Sequence, residues 1–126
     1  MEPTRSRSRS ALALAGLLGA AGATHFAKPR PYDSIVPRAL PGRPRTWTYA
    51  SGVAELALAA AVAAPRTRGL GGKLAAAFFA AVFPANVKMA LDHRAKSPGA
   101  RAVAWGRLPL QVPLVLWALR VGRSAP

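Results

Sequence analysis

The distribution of positive charge constrains this chain more than any other feature. No lysine or arginine occurs in residues 11–27, 46–65, 74–87 or 108–119, and these stretches are rich in alanine, leucine and valine. The cations fall between them: Arg5, Arg7 and Arg9; then Lys28, Arg30, Arg38, Arg43 and Arg45; then Arg66, Arg68 and Lys73; then Arg94, Lys96, Arg101 and Arg107; then Arg120 and Arg123. Lys88 alone stands inside an apolar stretch, close enough to its end for the ammonium to snorkel to water. A soluble amphipathic helix would carry polar residues as a stripe at period 3.6. Charges confined to the gaps are instead the pattern of membrane spans joined by loops.

A hydrocarbon core about 30 Å thick takes about 20 helical residues, and with their flanks the apolar runs reach roughly that length. The expectation is an all-α, four-helix transmembrane bundle with helices over residues 10–26, 46–64, 74–91 and 108–121. Residues 1–10 and 122–126 read as tails, the first of them basic and flexible. Ala15, Gly19 and Ala23 have the small-xxx-small spacing that lets a neighbouring helix come close. Three early arginines, a short apolar run and Ala21-Gly22-Ala23 also resemble a cleavable signal peptide, which would remove residues 1–23.

Between the first two helices, residues 28–45 form a proline-rich segment that a regular helix should not cross, leaving a loop on the membrane surface. PRTRGLGGK reads as a tight glycine-rich connection, and DHRAKSPGARAVAWG as a polar loop. Pro84 and Pro113 lie inside apolar helices and should kink them. Tyr32, Trp47, Tyr49 and Trp105 sit at span ends, where aromatic side chains anchor at the interface.

Lysine and arginine total 18 against 4 aspartate and glutamate, a net charge of +14. Such a balance would suit a soluble basic helical protein binding nucleic acid, but the placement of the charges favours the lipid bilayer as partner, and no nucleic acid is expected. The absence of cysteine excludes disulfides, thiol redox chemistry and thiolate metal sites. Asp92-His93 with His25 lacks metal-ligand spacing, so no metal site is expected. No phosphate loop, nucleotide fingerprint or catalytic triad is present. Ser51 reads as a packing residue rather than a nucleophile, and the catalytic residues, if there are any, are not identified.

One feature of the spans is chemical. Glu55 is the only ionisable residue in ASGVAELALAAAVAAP, and an unpaired carboxylate in hydrocarbon is costly. If four spans alternate in direction, His25, Glu55, Asn86 and Gln111 all fall within roughly 5–13 Å of one membrane face at 1.5 Å per residue. This predicts an interior polar layer with one residue from each helix. It reads either as interhelical hydrogen-bonding glue or as a ligand or proton site, since a histidine beside a glutamate in low dielectric can exchange a proton. The positive charges divide almost evenly between the two sides, so they do not set the orientation.

The motifs that carry these residues also form a recognisable series. GATHFAKPRPYDSIVPRALPGRPRTWTYASGVAEL, FPANVKMALDH and RLPLQVPLVLWAL resemble, in this order, the motifs of the DoxX-like family of small bacterial integral membrane proteins. The resemblance runs from Gly22 to Leu119 and maps family positions onto His25, Phe26, Pro37, Pro41, Gly52, Glu55, Pro84, Asn86, Pro109 and Gln111. It implies a four-helix bundle in the bacterial cytoplasmic membrane with both termini cytoplasmic. It also implies either a quinone-linked or redox-associated membrane subunit, with a quinone as cofactor and a redox protein as partner, or a non-catalytic scaffold or assembly protein.

Overall fold

A computed structural model describes residues 2–92 and 97–124, with side chains from residue 8 onward. The described residues form α1 (Glu2–Ala27), α2 (Pro29–Ile35), α3 (Pro44–Ala63), α4 (Arg68–Ala81), α5 (Phe83–Asp92) and α6 (Pro98–Arg123). His93, the partner of Asp92 in the weak metal motif, lies outside the described residues. Among the described residues no cluster of histidines and carboxylates could hold a metal ion.

The architecture is a helical membrane bundle, but not a simple set of four rods. Ser8–Ala27, Arg68–Asp92 and Pro98–Arg123 are long and apolar enough to cross a membrane. The expected fourth span, α3, is not among them. Its first turns carry Thr46, Thr48, Ser51 and Glu55, which dilute the apolar run that follows. It is held instead by packing on both α1 and α4, while α4 packs along α6. Trp117 Nε1 donates to Ser10 Oγ at 2.8 Å, tying the end of α6 to the early part of α1.

Several boundaries differ from the sequence expectation, each for a local reason. The basic segment expected as a tail is the beginning of α1, because after Pro3 nothing in RSRSRS breaks a helix. The proline-rich segment contains α2, because Pro29 and Pro31 fall in its first turn, where a missing N–H costs no helical hydrogen bond. The chain then turns at Gly42, which has φ +83°.

The glycine-rich connection is largely the start of α4. Its glycines serve close packing: a Cβ on Gly72 would stand 2.6 Å from the Gly122 Cα, and one on Gly71 would stand 2.9 Å from the Ala61 Cβ. Arg68 is buried and closes the end of α3, donating from Nε to Val62 O at 2.8 Å and from Nη2 to Ala63 O at 2.9 Å. That places its charge at the negative end of the α3 dipole. Helix α6 begins at Pro98 rather than near residue 108, with Ser97 Oγ accepting from Ala100 N at 3.3 Å as an N-cap. It continues through Pro109 and Pro113. The third span is interrupted at Val82, two residues before Pro84, whose ring removes a backbone donor.

The buried core is built from Leu14, Leu18, Val62, Phe79, Val121 and several alanines. Large apolar side chains such as Leu12, Val53, Leu70, Leu74, Val103, Val112 and Leu116 point outward. A small-residue interior beneath an apolar exterior suits lipid, where helices associate through close packing rather than through exclusion of water.

Candidate functional site

On α3, Thr48, Ser51, Gly52 and Glu55 are spaced to share one helical face. That face meets the end of α1 at a glycine contact. A Cβ on Gly22 would lie 3.1 Å from Gly52 O and 3.0 Å from Leu56 Cγ, so no larger residue fits without a shift. The close crossing brings His25 of α1 to Glu55 of α3, with His25 Nε2 3.6 Å from Glu55 Oε1 and both side chains 8% exposed.

The protonation of His25 follows from its other nitrogen. Nδ1 lies 2.7 Å from Ala21 O, and a carbonyl can only accept, so Nδ1 carries hydrogen. Nε2 is thereby the nitrogen that faces the Glu55 carboxyl. One further proton can reside on either Nε2 or the carboxyl, and transfer between them leaves the net charge of the pair unchanged. At 3.6 Å the two atoms are in ion-pair contact but too far apart for a good direct hydrogen bond.

This pair stands in the wall of a cavity of about 520 Å³. His25, Tyr32 and Ile35 line it from α1 and α2, and Val36, Pro37 and Leu40 from the following loop. Trp47, Thr48, Ser51 and Glu55 line it from α3; Phe78, Pro84, Ala85 and Asn86 from the broken third span; and Arg107 from α6. Val82, where the span breaks, lines the same wall as Asn86. Asn86 is 4% exposed, yet its side-chain amide has no hydrogen-bond partner among the described residues. Among the described residues no completely enclosed side-chain polar atom lacks a partner, so the Asn86 amide is open to the cavity that it borders.

Gln111 lies elsewhere. It is buried and donates from Nε2 to Phe79 O at 2.6 Å, bracing α6 against α4 one turn before the break. It borders a separate groove with Ala80, Phe83, Val112, Val115 and Leu116. Helical depth alone could not reveal this, because Gln111 points to a different side of the broken span.

The aromatic residues also divide. Tyr32 is half-buried and stacks on the His25 ring, with centroids 3.8 Å apart and planes at 19°. Trp47 lines the cavity and donates from Nε1 to Pro41 O at 2.6 Å, pinning the loop over it. Tyr49 and Trp105 are exposed. Tyr49 stacks on Phe26 and lies beneath the Arg45 guanidinium, 5.6 Å from its carbon.

Three contributors were missed in the sequence. Asp33 accepts from Arg45 Nε at 2.8 Å and from Thr48 Oγ1 at 2.6 Å, fastening α2 to the start of α3. Thr48 was legible in principle, since it lies seven residues before Glu55 on the same face. Arg107 read as a loop cation because α6 was expected to begin after it.

The fold defines the class, a helical integral membrane protein, and His25, Glu55 and Asn86 border a mostly apolar cavity in it. The chain belongs to the family described as a domain of unknown function, DUF8561, whose model matches residues 14–122. No curated protein and no solved structure shows a match.

Proposed function

We propose that this chain is a DoxX-like membrane protein whose cavity receives a small neutral carbonyl compound of the quinone class, and that it acts as a redox-associated membrane subunit. The observation that carries the reading is the His25–Glu55 pair on a cavity wall shared with the unpartnered Asn86 amide. A volume of about 520 Å³ lies within the usual range of small-molecule sites. Asn86 offers N–H donors to a carbonyl oxygen, and the His25–Glu55 pair holds a proton beside it. The apolar lining from Ile35, Val36, Leu40 and Phe78 covers the faces of a ring. A quinone would supply the redox chemistry, taking two electrons from a partner protein and two protons to become the quinol. The residues of this chain bind, orient and hold a proton.

The DoxX-like motifs support a bacterial cytoplasmic-membrane location with both termini on the cytoplasmic side. A second reading, a non-catalytic scaffold, draws on Gln111, whose hydrogen bond to Phe79 O is purely interhelical. The two separate in a binding experiment with the full-length chain, its Trp105 and Trp117 replaced by phenylalanine so that Trp47 in the cavity wall is the reporter, in detergent with a short-chain ubiquinone analogue. Saturable quenching that is lost in Asn86→Ala and His25→Gln, at unchanged helical content, supports the proposal. Quenching that is linear and equal in all three proteins sinks it.

A further inference from the structure

We propose that a second hollow, beside the cavity, binds a phosphate-type anion through Arg107 and Lys28. This site does not depend on the quinone reading. It has a volume of about 370 Å³ and is bordered by Thr24, Lys28, Tyr32, Ser34, Met89 and Arg107.

The donors around it identify what can enter. Thr24 Oγ1 donates to Ala21 O at 2.7 Å, so the 2.6 Å contact between Thr24 and Tyr32 uses the tyrosine hydrogen. Ser34 Oγ donates to Pro31 O at 2.7 Å. Every hydroxyl hydrogen on this wall is therefore already engaged. The cations are not. Among the described residues the hydrogen-bond partner of the Arg107 guanidinium is Met89 Sδ, 3.1 Å from Nη1, and a thioether is a weak acceptor for a group with five N–H donors. The Lys28 ammonium has no partner among them.

Among the described side chains every carboxylate is engaged elsewhere. Asp33 is held by Arg45 and Thr48, Asp92 by Lys88 and Glu55 by His25. Among the described residues the open donors beside this hollow are a guanidinium and an ammonium, and no carboxylate borders it, a setting that selects an anion from outside. A phosphate presents paired oxygens to the guanidinium fork and further oxygen to the ammonium. The phosphodiester of an anionic lipid and free phosphate share this chemistry.

The test uses the full chain in phosphatidylcholine nanodiscs, with or without phosphatidylglycerol, and reads retained lipid by native mass spectrometry. In parallel, inorganic phosphate is titrated against thermal stability in detergent. Phosphatidylglycerol retention should fall about tenfold in Arg107→Gln and in Lys28→Gln, as expected for loss of one charge-assisted contact. It should be unchanged in Arg101→Gln, which removes an exposed charge on α6 outside the hollow. Retention of the lipid without stabilisation by inorganic phosphate assigns the site to a headgroup. Stabilisation by inorganic phosphate through the same two residues assigns it to the free anion. The proposal is overturned if Arg101→Gln weakens binding as much as Lys28→Gln, or if neither Lys28→Gln nor Arg107→Gln weakens it. Should Arg107→Gln fail to fold, Lys28→Glu carries the test from the exposed side.

Discussion

Gly52 and His25 are in such close approach that a Cβ built on the glycine would stand 2.8 Å from the His25 Cβ, with Phe26 Cε2 nearer still at 2.7 Å. The histidine reaches Glu55 because the chain has no side chain at residue 52. Gly52→Ala should therefore push α1 away from α3 and cost about 1–3 kcal/mol of stability, the usual range for overpacking a tight contact. Thermal unfolding in detergent checks this. Gly16→Ala, with open space around the added methyl, should leave the melting temperature unchanged or raise it.

The fastening of α2 to α3 should depend on pH in one direction. Partial burial raises the Asp33 pKa, but the hydrogen bonds from Thr48 and Arg45 and the Arg45 charge lower it by more, leaving it below its ordinary value of 3.8. A carboxyl whose folded pKa is depressed contributes stability above its unfolded pKa and loses that contribution as pH falls through the folded value. The latch should hold at and above pH 3.8 and release below it. Trp47 reports on this, since its indole pins the adjoining loop at Pro41. Its fluorescence should shift in the acid range, while Asp33→Asn should show the acid-shifted signal at all pH values. An acid-range shift that persists undiminished in Asp33→Asn would contradict the assignment.

Gln111 should behave as structure rather than as ligand contact. Gln111→Leu removes the donor to Phe79 O and should lower stability by about 1 kcal/mol. Ligand-induced quenching of Trp47 should remain as in the wild type, because Gln111 borders a different groove. A loss of quenching at full stability would place Gln111 in the binding machinery.

The contrast between Gln111 and Asn86 shows where sequence reading reached its limit. Depth along a helix can be counted, and His25, Glu55 and Asn86 line one cavity at one level of the bundle. The direction a side chain faces depends on helix rotation and on the break at Val82, which a residue count does not contain. The ends of helices misled for a related reason. Pro29 and Pro31 read as breakers and Pro98 as part of a polar loop, yet each falls in a first turn, where proline is tolerated. Gly71 and Gly72 read as part of a tight connection between helices, but they are where α4 lies against α3 and α6. Arg68 and Arg107 read as loop charges because the helices holding them were expected to start later. Three spans were legible from composition. The fourth helix, α3, carries its polar residues where the cavity needs them and so falls short of a span on the same criterion.

The central claim is that the cavity around His25, Glu55 and Asn86 is a ligand site rather than a layer of interhelical glue. The most direct measurement compares wild type and Glu55→Gln in one membrane-extracted preparation, recording the melting temperature and the saturable Trp47 quenching by the ubiquinone analogue. The melting temperature should equal or exceed that of the wild type, because a neutral amide is easier to bury than an ionised carboxylate, and quenching should be lost or greatly weakened. A Glu55→Gln protein that melts well below the wild type while its remaining folded fraction is quenched as before would contradict it, and would make Glu55 a strut between helices.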